Sequence, residues 1–118
     1  MTSEEWQKQV ITAIEHISDR KFQERAWFGQ GPEVSSPEEV YCGLFDDAQF
    51  EDFLRSPEIR LSGEARALAN EFISCLESFG AKIPMYPEFA DAQEMINDPE
   101  WEEVRQIAMR LLRELGAK

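Results

Sequence analysis

Residues 63–80 read GEARALANEFISCLESFG, and the spacing of their apolar members decides the fold class. Leu68, Ala69, Phe72, Ile73, Leu76 and Phe79 recur at intervals of three and four, which places them on one side of an α-helix. The spacing predicts a helix from about Gly63 to Phe79, central to the fold, with Gly80 at the C′ position. Elsewhere the same period returns and no convincing period-2 alternation appears. The chain is therefore expected to be all-α: one compact bundle of five to six helices spanning residues 1–118.

Working outward, Trp6, Val10, Ala13, Ile14 and Ile17 form a stripe behind Ser3, the expected N-cap, with Glu4 and Glu5 in the dipole-favoured first turn. This helix either breaks near Asp19 or runs on through Phe22 and Ala26 to Phe28; Gly29, Gly31 and Pro32 stop it. Ser36-Pro37-Glu38-Glu39 combines a serine cap, a proline at the first helical position and a glutamate three residues after the cap. A helix begins there, with Val40, Tyr41, Leu44 and Phe45 as its apolar side. Asp46 or Asp47 is expected to cap a further short helix that turns Phe50, Phe53 and Leu54 inward and ends at Ser56-Pro57.

Ile83-Pro84-Met85-Tyr86-Pro87 reads as a stiff connector, because proline lacks the N–H and restrains its predecessor. A short helix from near Phe89 to Ile96 follows. Asp98-Pro99-Glu100 then starts a last helix reaching Leu115, with Trp101, Val104, Ile107, Ala108, Leu111 and Leu115 inward. Arg105, Arg110 and Arg113 move positive charge toward its C-terminal half.

At 118 residues and 42% hydrophobic content the chain can bury a core of its own. Its charge is lopsided: 24 Asp and Glu oppose 12 Lys and Arg. Between Glu33 and Glu58 stand eight acids and only Arg55; between Glu88 and Glu103 stand seven acids and no base. Such surfaces attract basic proteins and repel nucleic acid and anionic membrane. The N-terminal residues have neither a basic region nor an apolar h-region, and no segment approaches the roughly 18 apolar residues of a membrane span. The expected location is cytoplasmic.

Chemistry is sparsely represented. Cys42 and Cys75, with 32 residues between them, form neither a C-x-x-C pair nor a secreted framework and are expected to be reduced thiols. Glu38 and Glu39 lie one helical turn before Cys42 and oppose a reactive thiolate. His16 is the only histidine and falls at the edge of an apolar stripe. There is no H-E-x-x-H, di-iron pair, EF-hand series or phosphate loop, so no enzyme activity, cofactor or metal is expected. The Asp46-Asp47…Glu51-Asp52 cluster would attract a divalent cation only weakly. Basic residues are scattered, so direct nucleic-acid binding is not expected.

Some of the acids are explained by helix starts, as with Glu38, Glu39, Glu100 and Glu102. Asp46, Asp47, Glu51 and Asp52 are not, since close like charges repel without an interleaved cation. The expected partner-binding residues are therefore Glu38, Glu39, Asp46, Asp47, Glu51 and Asp52, with Tyr41 and Trp27 as aromatic anchors. Glu94, Asp98, Glu100, Glu102 and Glu103 make a second acidic surface. In Arg25-Ala26-Trp27-Phe28-Gly29, Trp27 or Phe28 either plugs the core beneath the following turn or is exposed as an anchor.

From Phe22 to Leu54, the segments Arg25-Ala26-Trp27-Phe28-Gly29, Ser35-Ser36-Pro37-Glu38-Glu39 and Leu44-Phe45-Asp46-Asp47 resemble the small bacterial immunity proteins of contact-dependent growth inhibition systems. The resemblance covers about a quarter of the chain and carries over no contact residues. It implies a cytoplasmic protein that binds and neutralises the toxin domain of a cognate effector, often a nuclease. The alternative is an acidic regulatory adaptor or nucleic-acid mimic that binds a basic transcription or repair protein.

Overall fold

A computed structural model describes residues 2–32, 35–80 and 92–116, with Gln93 and Glu94 described by their backbone alone. The first helix, α1 (Ser3–Ser18), is capped by Thr2, whose Oγ1 accepts from the Glu5 N–H at 3.1 Å. Ser3, the cap expected from sequence, is instead the first helical residue; a hydroxyl one position earlier does the same work. Val10, Ala13, Ile14 and Ile17 are buried as the stripe requires.

Of the two expected courses, the chain takes the break at Asp19. Its backbone leaves helical geometry (φ −98°, ψ 97°), and its carboxylate caps α2 (Arg20–Trp27) by accepting from the Phe22 N–H. Breaking a helix orphans its last carbonyls. Gln23 supplies the missing donor: its Nε2 gives hydrogen bonds to the carbonyls of His16 (2.9 Å) and Ile17 (2.8 Å).

Ser36 starts α3 (Pro37–Cys42), its Oγ accepting from the Glu39 N–H. The helix then widens into a π-helical turn over Gly43–Asp47, closed by the Ala48 N–H donating to the Gly43 carbonyl at 2.9 Å. The wider turn carries the chain past Asp46 and Asp47, so neither caps the next helix. That position is taken by Gln49, in left-handed backbone (φ 51°, ψ 54°) and without a side-chain cap, ahead of α4 (Phe50–Arg55). Two α1 side chains tie down the turn's exit: Trp6 Nε1 donates to the Ala48 carbonyl (2.7 Å) and Gln9 Nε2 to that of Asp47 (3.3 Å). Phe50 and Phe53 are buried, and Leu54 is half-buried.

Helix α5 (Gly63–Gly80) buries Ala65, Ala69, Phe72, Leu76 and Phe79, a four-three-four-three seam along one face. Gly80 is its last helical residue and not the expected C′ residue; a Cβ there would lie 3.7 Å from the Tyr41 ring. The Ile83–Pro87 connector and the start of the short helix near Phe89 lie outside the described residues. What is described is α6 (Ala92–Ile96), followed by α7 (Pro99–Glu114), whose N-cap Asp98 accepts from the Glu100 N–H at 2.8 Å.

The all-α bundle is what the apolar spacing predicts; its centre is not α5. Helix α7 lies against both α1 and α5. It can do so because Trp101, Val104, Arg105, Ile107, Ala108 and Leu111 bury two adjoining faces, while the α5 seam serves only one. A single hydrophobic cluster joins all three with Val40, Leu44, Phe50, Phe53 and Met95.

Arg105 departs from the sequence reading: it is 2% exposed, so its charge belongs to the interior and not to the helix surface. The guanidinium meets Glu102 Oε1 (2.6 Å), the Ile96 carbonyl (3.1 Å) and Gln23 Oε1 (3.3 Å), and the same amide oxygen accepts from Trp101 Nε1. Removing one partner from a buried charge costs far more than the net worth of the bond. Replacing Gln23 by Leu strips Trp101 and Arg105 of an acceptor and α1 of its closing donor. The variant should lose about 2–4 kcal/mol in urea unfolding with the slope unchanged.

The Glu102 carboxyl is held below the usual carboxylate range by hydrogen bonds from Gln106 and Arg105 and by the Arg105 charge. Its contribution to stability is therefore present above the unfolded value near 4.5 and is lost as pH falls through the lower folded value. Glu102→Gln should flatten the unfolding free energy against pH in that acid window while leaving the neutral-to-alkaline profile parallel to wild type.

Candidate functional site

The run α3, π-turn and α4 projects its acids outward because its apolar residues, Val40, Leu44, Phe50 and Phe53, claim the inner face. Glu38 and Glu39 occupy the first turn of α3, Asp46 and Asp47 the π-turn, and Glu51 and Asp52 the first turn of α4. All six are exposed. Among the described residues the only ion pair they form is Asp52 Oδ1 with Arg55 Nη1, at 3.5 Å and with both side chains well solvated. An exposed pair of that kind neutralises little. The structure thus exposes all six expected acids along consecutive elements of the chain, with one ion pair among them.

Cys42 sits among them, exposed. Its thiol is raised above the usual value by desolvation, then by the charge and hydrogen bond of Asp46 and the charges of Glu38 and Asp47. The site is the opposite of one that activates a nucleophile. Cys75 is likewise raised, by desolvation and by Glu71, Glu103 and Glu100.

The aromatic residues divide differently from the acids. The Tyr41 hydroxyl donates to the Leu76 carbonyl (2.9 Å), its ring stacks against Trp101, and burial pushes the phenol above its ordinary range. Its role in holding α3 against α5 and α7 was not legible in sequence, since the bond spans 35 residues. Trp27 packs on the core with its ring 6.3 Å from that of Trp101, and its Nε1 is buried without a partner among the described residues. Phe28, one residue on, is the ring in solvent, 40% exposed.

The second acidic stretch is more heavily employed in the fold. Asp98 caps α7 and Glu102 holds Arg105, while Glu100 and Glu103 are exposed; the Glu94 side chain lies outside the described residues. Among the described residues no group of three or more His, Cys, Asp or Glu is placed to hold a metal ion, and no helix is long and apolar enough to cross a membrane.

One feature of the site could not be read from the chain alone. A groove of about 460 Å³ separates α1 from α3 and the π-turn, with Glu39, Gly43 and Asp47 on one wall and Lys8, Thr12 and His16 on the other. Phe22 and Val40 also line it, and the His16 ring stacks flat on Phe22 with centroids 4.3 Å apart. The α1 wall was missed because its residues are 30 or so positions away from the acids and carry no motif.

No family model, curated protein or solved structure matches this chain. The site must be judged on its own chemistry. Because burial and carboxylates both oppose the Cys42 thiolate, alkylation by iodoacetamide at pH 8 should be slower than for glutathione. Asp46→Asn should accelerate it, which peptide mapping of the modified protein would read.

Proposed function

We propose that this chain is an immunity protein: a stoichiometric inhibitor that binds a cognate basic toxin domain, of nuclease type, through the acidic face of α3, the π-turn and α4. The observation that carries the reading is the set of six exposed carboxylates of which, among the described residues, only Asp52 has an ion-pair partner, Arg55. Packed like charges of this kind cost stability in the free protein and return it only when a cationic surface covers them. A nuclease has such a surface, since its cleft must gather a phosphate backbone.

Binding begins with long-range attraction. The net charge of −12 draws a basic domain in, and the local field of Glu38, Glu39, Asp46, Asp47, Glu51 and Asp52 orients it. Lys and Arg side chains that would hold phosphates then pair with these carboxylates, and substrate is excluded without any chemistry by the inhibitor. Among the described Phe, Tyr and Trp residues Phe28 is the exposed one, and exposed rings are where such interfaces gain apolar contact. The cytoplasm is the compartment where such a protein would meet a delivered nuclease. The resemblance of residues 22–54 to contact-dependent growth inhibition immunity proteins points the same way.

The partner can be captured at low salt on the tagged chain and eluted with rising salt. A basic effector domain in near-equal amount supports the reading; a DNA-associated regulator would instead favour the adaptor. With the captured domain in hand, Asp47, Glu51 and Asp52 are changed to Lys together. Association at low salt should slow about tenfold or more, and the difference should shrink as salt rises. Unchanged kinetics in a variant that melts normally would remove this face from the interface.

A further inference from the structure

Gly43 is a glycine the fold does not ask for. Its backbone is ordinary right-handed helix (φ −59°, ψ −39°), where glycine is disfavoured relative to alanine, and a Cβ built on it meets nothing within 4 Å. Among the described residues no neighbour therefore requires its smallness. Gly43 lines the groove between α1 and the π-turn, as do Glu39 and Asp47. Glu39, Gly43 and Asp47 follow one another at four-residue intervals, a single stripe of carboxylate, notch and carboxylate.

The charges in the groove favour a cationic occupant. Lys8 is the one fixed cation among the described lining residues, against Glu39 and Asp47, and neither carboxylate has an ion-pair partner among the described residues. Phe22, Val40 and Ala13 offer apolar surface to aliphatic stems. The two carboxylate positions lie eight residues apart; the α-helical part rises ~1.5 Å per residue and the wider π-turn rises less, so the span is somewhat under about 12 Å. In an extended segment, side chains four residues apart share a face and are about 13 Å apart. The spans are close.

We infer that the groove seats an extended, arginine-bearing segment of the basic partner, its backbone crossing at Gly43 and two arginines four residues apart reaching Glu39 and Asp47. This deepens the acidic-face reading and rests on it. Arginine suits both ends because its planar fork meets a carboxylate with paired donors.

The test uses two heptapeptides of equal composition and charge, Gly-Arg-Gly-Gly-Gly-Arg-Gly and Gly-Gly-Arg-Arg-Gly-Gly-Gly, titrated at low salt into the full chain and followed by amide NMR. The spaced peptide should bind at least fivefold tighter and shift the Thr12, Ala13 and Gly43 amides. Gly43→Leu, which fills the notch and keeps every carboxylate, should abolish that preference; so should the paired Glu39→Gln and Asp47→Asn substitutions, which leave the notch open. Equal affinity for the two peptides, or an undiminished preference in folded Gly43→Leu, would overturn the assignment. The two readings fail separately. If Gly43→Leu binds the basic partner as wild type does while the lysine reversals weaken it, the groove assignment falls and the acidic face stands. If the spaced peptide seats in the groove but Glu51→Lys with Asp52→Lys, which spares Glu39 and Asp47, leaves partner association unchanged, the groove stands and the wider face falls.

Discussion

The structure depends on one buried amide. Gln23 gives its two donors to the carbonyls that α1 exposes where it ends and takes, on its oxygen, the indole N–H of Trp101 and a guanidinium N–H of Arg105. Through that side chain the break at Asp19, the position of α2 and the register of α7 become a single decision. Arg105 extends the network to the Ile96 carbonyl, which also accepts from Arg20, so the end of α6 is clasped by two guanidinium groups. A buried cation is tolerable only when its donors are met. Here Glu102, Gln23 and Ile96 give every guanidinium nitrogen an acceptor, and a paired network of this kind favours one arrangement over the several an all-apolar contact would allow.

A scaffold pinned from inside can carry a surface that would otherwise loosen it. Some of its acids work for the fold: Asp19 and Asp98 cap helices, and Glu102 neutralises Arg105. Apart from the Asp46 bond with the Cys42 thiol and the solvated Asp52–Arg55 pair, the acids of α3, the π-turn and α4 serve only the helix dipole, and all six are exposed. The π-turn matters to this display. It adds a wide turn that holds Asp46 and Asp47 on the outer surface, and Trp6 and Gln9 anchor its exit to α1. Charge is thus presented on a stiff frame, which lowers the ordering cost of binding.

Much of this was legible in the chain. Ser36-Pro37 and Asp98-Pro99 announce their helices because cap and N1 proline are local chemistry, and the α5 seam is a local period. What escaped reading was set by tertiary partners. Asp46 and Asp47 look like caps until the π-turn passes them. Gly80 looks like the residue just past its helix, whereas the helix includes it, with the Tyr41 ring lying against it. Arg105 looks like a surface charge because its buried setting depends in part on Gln23, 82 positions away. In the candidate site the acids were plain, since charge is a property of residues, whereas the groove needs α1 brought beside α3. Tyr41 was an attractive anchor by residue type, and its hydroxyl bond to Leu76 is visible only in the fold.

The measurement that bears most directly on the whole account is a titration of the chain into its purified basic partner, with enzymatic turnover and heat of binding read in the same series. The account predicts an end point at one equivalent, where turnover ceases, with affinity falling steeply as salt rises. A partner that remains fully active in the presence of excess chain, or binding indifferent to salt, would contradict it.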